Sequence, residues 1–228
     1  MKKTIVLSLG GSLIIPDKVN TNFLIKFKKT LRSLYKTHKF AVVCGGGSIA
    51  RKYISVLKSQ NKSTKELSLA GIRATRDNAQ LLMQFFGKEA NDKLPKDMKD
   101  VKDHLSKNPV VFCGALRYAD KETSDGTAAK LANYLKTDFV NLTNVQGLFS
   151  ANPKTNKNAK FIPSISWKSF ESMALKIKYK SGQHFVLDQS ASTIIKKHKI
   201  RTYIIGSNLS NLKKILKKQK FTGTTINR

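Results

Sequence analysis

The sequence predicts an α/β protein with a mostly parallel sheet and helices on both faces. Short apolar runs alternate with segments whose apolar residues recur at helical spacing, and that alternation builds parallel strands joined by crossover helices. Two of the apolar runs end in glycine turns, Gly10-Gly11-Ser12 and Gly45-Gly46-Gly47-Ser48. In open sheets of this kind, ligands collect at the carboxyl ends of strands.

Taken along the chain, residues 4–9 form the first apolar run and read as a strand. Residues 22–35 follow, with Phe23, Leu24, Phe27, Leu31 and Leu34 on one helical face. Further strands are expected over 40–44, 110–113, 139–143 and 202–205. Helical spacing recurs over 49–57, 76–86, 126–135, 191–198 and 209–217. Residues 88–108 are charged, carry Pro95 and hold few apolar side chains, so they read as a surface helix pair or a mobile flap. Residues 150–160 are a polar loop, and 176–180 a basic connector before Gly182. No internal repeat is evident.

Composition bounds the function. With 228 residues, 40% apolar and 25% charged, the chain suits one large domain or two intimate halves. No run approaches the roughly 18 apolar residues of a membrane span. The run at Ile5 is too short for a signal peptide and lacks a cleavage pattern, so a cytoplasmic protein is expected. Cys44 and Cys113 each end an apolar run and read as buried small hydrophobes rather than a disulfide. The 43 Lys and Arg against 14 Asp and Glu leave a formal net charge of +29. Such a charge suits an acidic partner such as nucleic acid, polyphosphate or anionic lipid. It equally suits lysine scattered over every solvated face. The even spread of lysine and the lack of an aromatic-interleaved basic block favour the second reading, with nucleic acid kept as an alternative partner.

The chemistry concentrates at the glycines. Glycine lets backbone N–H groups approach an anion closely, and a following helix adds unpaired donors and a favourable dipole. Arg51, one turn into the helix after Gly47, places a cation behind such a cradle. Two cradles in one chain suggest two phosphorylated ligands. Arg73 and Arg76 fall in a motif segment, and each either grips a phosphate, since guanidinium binds it bidentately, or is a helix-start arginine pairing with Asp77. Asp125 follows Thr123 and Ser124 at a loop-to-helix junction, and it reads as an N-cap, a role Ser124 would fill equally well, or as a functional acid. Carboxylates elsewhere in the second half are scarce: Asp138, Glu171 and Asp188. No all-protein Mg²⁺ cage is expected, and a largely hydrated, phosphate-bound Mg²⁺ fits better.

Six motifs in order carry a resemblance: Gly10-Gly11-Ser12, Gly45-Gly46-Gly47 with Arg51, Gly71–Arg76, Ser124-Asp125 running into Ala128–Ala132, Thr143-Asn144-Val145, and Gly223-Thr224-Thr225-Ile226. Together they resemble the amino acid kinase family over nearly the whole chain, and within it the archaeal-type uridylate (UMP) kinases. The resemblance implies a three-layer α/β/α sandwich forming a single domain over 1–228. About 1–125 would be the acceptor-binding half and about 126–228 the ATP-binding half. It implies transfer of the ATP γ-phosphoryl group to UMP, with Mg²⁺ bound mainly through the ATP phosphates. It also implies a homo-oligomer, by resemblance a hexamer.

Carried over residue by residue, Gly11, Ser12, Gly47, Arg51, Thr143, Asn144, Phe149 and Asn152 would contact ATP. Gly46, Ser68, Arg73, Arg76, Thr123, Ser124 and Asp125 would contact UMP, with 114–124 forming the uracil and ribose loop. Asp125 and Arg51 would be catalytic, Asp125 by orienting cationic groups or Mg²⁺ near the phosphates. The chain departs from the family pattern at Ser68, Gln146 and Asn152, where acids are usual, at Phe149 for a tyrosine, and at Ser8, where a lysine is frequent. The loop 115–123 also lacks the usual Gly-Pro-Gly flavour. These changes remove negative charge around ribose and base but leave the phosphate side intact. A different acceptor on the same fold, or a non-catalytic nucleotide- or polyanion-binding oligomer, are the competing readings.

Overall fold

The computed structural model describes residues 2–117, 123–153, 155–176 and 186–228. Its first half runs β1 (Lys3–Leu9), α1 (Gly11–Ile14), α2 (Thr21–Arg32), β2 (His38–Cys44), α3 (Gly47–Ser59), α4 (Thr64–Phe86), α5 (Met98–Lys107) and β3 (Val110–Cys113). The second half runs α6 (Ser124–Tyr134), β4 (Phe139–Leu142), β5 (Leu148–Phe149), β6 (Phe161–Ile162), β7 (Ser164–Ile165), α7 (Trp167–Leu175), α8 (Gln189–Lys197), β8 (Thr202–Ile205), α9 (Ser210–Leu216) and β9 (Thr224–Ile226). The main sheet has the order β3-β2-β1-β4-β8-β9-β7, and all its pairings are parallel except β8 with β9. Strands β5 and β6 form a separate antiparallel ribbon.

Side chains alternate across the strands, and two apolar clusters result. Leu7, Leu9, Phe40, Val42 and Phe112 pack with Phe27 of α2, Phe86 of α4 and Leu212 of α9. Val6, Ala41, Val43, Val111 and Phe139 pack with Val101 of α5, Ala129 of α6, Phe170 of α7 and Ile195 of α8. The result is the three-layer sandwich. Cys44 belongs to the first cluster and Cys113 to the second, so they lie on opposite faces of the sheet as free thiols. Burial pushes both thiols up, that of Cys113 to about 12, so neither is a ready thiolate.

All five expected strands form. Helix α4 corrects the expectation of a helix starting at 76. It begins twelve residues earlier, at Thr64, because Ser63 and Glu66 make a capping box: Glu66 N donates to Ser63 Oγ at 3.3 Å and Ser63 N donates to Glu66 Oε2 at 2.9 Å. The Gly71–Arg76 motif therefore sits inside a helix. Residues 88–108 hold the end of a 3-10 turn, Gly87–Glu89, and one α-helix, α5, capped by Asp97 and anchored by buried Val101 and Leu105. The strands β5, β6, β7 and β9 are too short to carry a period, and helix α7, with Trp167, Phe170 and Ala174 at helical spacing, is an element the sequence reading missed. Most of the basic connector, Gly182 and the centre of the 115–123 loop lie outside the described residues. Among the described residues no helix is long and apolar enough to cross a membrane.

The chain winds from β1 to β2 and β3 on one side, then starts β4 on the other side of β1. The crevice at the carboxyl ends of β1 and β4 is thus the switch point of the sheet, where open α/β folds leave room for a ligand.

Candidate active site

Three strand ends meet at that crevice. Gly10 N donates to Leu142 O at 2.9 Å, Gly45 N to Leu9 O at 2.9 Å, and Ser48 N to Ile15 O at 3.0 Å. The two glycine turns touch backbone to backbone: a Cβ on Gly11 would lie 2.0 Å from Gly47 N, and one on Gly45 would lie 2.5 Å from Gly11 N. Gly47 also needs a positive φ of 63°. Glycine here brings the start of α1 beside the start of α3. Helix α3 has no side-chain N-cap. The Arg51 guanidinium, one turn into α3, donates through Nη2 to Pro16 O at 3.2 Å, in the segment just after α1.

The other side of the second turn is α4. Gly46 faces Ala74 and the Gly71 carbonyl, each 3.5 Å from where its Cβ would be. Asn78, buried on the same helix, donates to Gly45 O at 2.7 Å. The loop leaving β3 is tied to α4 as well. Ala115 N donates to Thr75 Oγ1 at 3.0 Å, and Arg76 donates through Nε to Ala115 O at 3.0 Å and through Nη2 to Leu116 O at 2.8 Å. Arg76 thus braces this loop instead of pairing with Asp77. Ser68 is half-buried and Arg73 exposed on α4, and among the described residues neither hydrogen-bonds the glycine turns.

Beneath the first turn lies an acidic centre. Ser8 on β1 donates through Oγ to Asp125 Oδ1 at 2.8 Å, which places the Asp125 carboxyl at the carboxyl end of β1. The cap of α6 is Thr123, not Ser124 or Asp125: its Oγ1 accepts from Gly126 N at 3.0 Å because its extended backbone turns the hydroxyl over the first turn. The Thr123 hydroxyl also donates to Asp188 Oδ2. Enclosure of the carboxyl, then the charge of Asp188, push Asp125 up to about 7, against the pull of the Ser8 hydrogen bond.

On the far side, Thr143 N continues the sheet by donating to Ile205 O at 2.9 Å, while Asn144 is exposed. Phe149 meets Phe161 edge to face, with centroids 5.4 Å apart, on the β5–β6 ribbon. Thr224 holds that ribbon: it accepts from Leu148 N at 2.8 Å and donates to Ile162 O at 2.6 Å. Asn152 is exposed in the turn beyond β5. Of the supporting groups, Asn78 carried no sequence signal, while Thr75 and Thr224 lay in the Gly71–Arg76 and Gly223–Ile226 motifs without being given a role. Ser8 carried a signal as a departure from the family pattern, and Asp188 did as one of few acids.

Residues 3–206 match the family model described as Amino acid kinase family. The chain is 32% identical over 223 residues to a uridylate kinase of Thermococcus onnurineus, covering 97% of this chain and 98% of that one. It is 34% identical to a uridylate kinase of Archaeoglobus fulgidus, covering 97% and 99%. The crystal structure of uridylate kinase from Archaeoglobus fulgidus superposes with a TM-score of 0.84 over 99% of this chain and 100% of that one. The chain belongs to the amino acid kinase family. ATP-dependent phosphoryl transfer is the chemistry of this kinase family, and such transfer needs donors directed at phosphate oxygens. Ser8 offers Asp125 a neutral hydroxyl, which cannot offset the Asp188 charge as an ammonium would.

Proposed function

We propose that this kinase transfers the γ-phosphoryl group of ATP to a phosphate oxygen of UMP, giving UDP and ADP. The observation that carries the reading is the backbone contact of the two glycine turns at the switch point, with Arg51 one turn into the helix that follows the second. The full-length likeness to uridylate kinases supports UMP as acceptor. The bond between the γ-phosphorus and the β,γ-bridging oxygen breaks as the UMP oxygen bonds to that phosphorus. The attacking phosphate is already ionised near neutral pH, so no general base is required. Catalysis then rests on positioning and charge neutralisation.

In this reading Gly11, Ser12, Gly47, Thr143, Asn144, Phe149 and Asn152 hold ATP, with the adenine toward the β5–β6 ribbon. Gly46, Ser68, Arg73, Arg76, Thr123 and Ser124 hold UMP, and Arg76 does so through the loop it braces. The acceptor half is about 1–125 and the donor half about 126–228. Arg51 neutralises the transferring phosphoryl oxygens, and Asp125 orders polar groups around them. Mg²⁺ would neutralise the β- and γ-oxygens. The donor set fits an ion carried by the ATP phosphates: among the described residues no three His, Cys, Asp or Glu converge, and Asp125 and Asp188 already accept hydrogen bonds. A homo-oligomer is part of the proposal. It is supported by α3, whose only buried residue is Ser48 and which exposes Tyr53 (51%) and Val56 (65%).

The test is coupled ADP release from ATP and Mg²⁺ over UMP, CMP, dUMP and small-molecule acceptors. Release dependent on UMP is expected, and Arg51→Ala should lower kcat by about 10²–10³-fold, the loss typical of one phosphate-directed donor. Turnover with another acceptor and none with UMP overturns the substrate.

A further inference from the structure

The polar groups under α6 and α8 form one connected set. Ser8 of β1 and Asn141 of β4 are register partners on the same face of the sheet. Ser8 holds Asp125 of α6, and Asn141 Nδ2 donates to Val186 O, two residues before Asp188. Asp188 is buried and caps α8, accepting from Ala191 N at 2.8 Å through Oδ1. Its other oxygen, Oδ2, takes the hydroxyl of Thr123, the cap of α6. The first turns also pack closely, since a Cβ on Gly126 would lie 3.1 Å from Ser190 Oγ. One carboxylate therefore fastens the starts of two helices, and one of those starts carries Asp125.

We propose that Asp188 is a positioning residue for phosphoryl transfer, acting through Thr123 to hold the Asp125 carboxyl at the carboxyl end of β1. The inference rests on the reading of Asp125 as the ordering acid of the site. Helix α6 packs on β1, β2, β4 and α8. Lys3, His38 and Lys39 stand at the amino ends of β1 and β2, and Lys196 and Lys197 in the last turn of α8, far along those elements from Asp125. Lys130 stands further along α6. Among the described residues, Asp188 is the charged group that faces Asp125, so its negative charge also governs how readily Asp125 ionises.

Two measurements test this. The first needs no activity: melting temperatures of wild type, Asp125→Asn, Asp188→Asn and the double variant between pH 5 and 8. The pH-dependent part of the Asp125→Asn effect should shrink by roughly a third when Asp188 is Asn, the larger share belonging to enclosure of the carboxyl. The second is kcat against pH with ATP and UMP. In Asp188→Asn the acidic limb should move down by about one pH unit. Thr123→Val should lower kcat at saturating UMP about 10-fold or more, over and above any rise in the KM for UMP, and Thr123→Ser should restore kcat. Additive melting effects, with a wild-type pH profile and an active Thr123→Val, overturn the proposal. If Asp188→Asn fails to fold, the Thr123→Val and Thr123→Ser pair decides by the same kcat criterion. Wild-type protein without UMP turnover would overturn the substrate reading instead, while the melting cycle still reports on Asp188 and Asp125.

Discussion

Asp125 has a carboxyl that ionises with difficulty, and this has a signed consequence for stability. Its folded-state value of about 7 exceeds the roughly 3.9 of an unfolded Asp. Between those values the native protein keeps a proton that the unfolded chain releases, so stability falls as pH rises through that window. Asp125→Asn should remove this penalty. The variant should melt several degrees above wild type at pH 8, with the difference vanishing toward pH 4, and should lose at least about 10²-fold in kcat, in line with loss of one transition-state-directed polar group. An unchanged melting temperature at pH 8 would sink this account of the Asp125 carboxyl. Ser8 belongs to the same scale: in the sequence it stood out only as a departure from the family pattern, whereas its partner lies 117 residues away.

The glycines act at the scale of elements, and they are not equivalent. Gly11 packs on the backbone of Gly47, which has no flexible end to move aside. Gly11→Ala should therefore cost about 1–3 kcal/mol, seen as a melting temperature lower by roughly 2–4 °C per kcal/mol. Gly71 lies inside α4 with its nearest neighbour, Ile54 Cδ1, at the ordinary distance of 3.6 Å. Gly71→Ala should raise stability by about 0.5–1 kcal/mol through helix propensity. Differential scanning calorimetry of the two variants checks the opposite signs. The apolar runs and glycine turns were legible because period and residue type are local. The length of α4 was not, since the capping box at Ser63 lies outside the periodic segment, and the two-residue strands β5, β6 and β7 exist only through their partners.

For the whole molecule, the charge of +29 opposes association, whereas the bare apolar side of α3 favours it. Tyr53 and Val56 are three residues apart on one helix face. Val56→Asp should shift sedimentation toward a smaller species in 0.3 M salt, where repulsion between exposed lysines is largely screened. An unchanged sedimentation coefficient would remove α3 from the contact. Lysine count pointed to no particular surface; the ion pairs among the described residues, such as Arg32 with Glu89 and Lys196 with Glu171, engage only a few of the 43 basic residues.

Hydrophobic period and glycine placement by themselves determined the α/β class, the five parallel strands and the two turns after β1 and β2. Those signals arise within a few residues of one another, where backbone sterics and side-chain periodicity act. Only the tertiary structure decided that the two turns press together at the switch point, that Arg76 braces a loop, and that Asp188 and Thr123 stand behind Asp125. These are contacts between residues far apart in the chain, and local spacing carries no information about them.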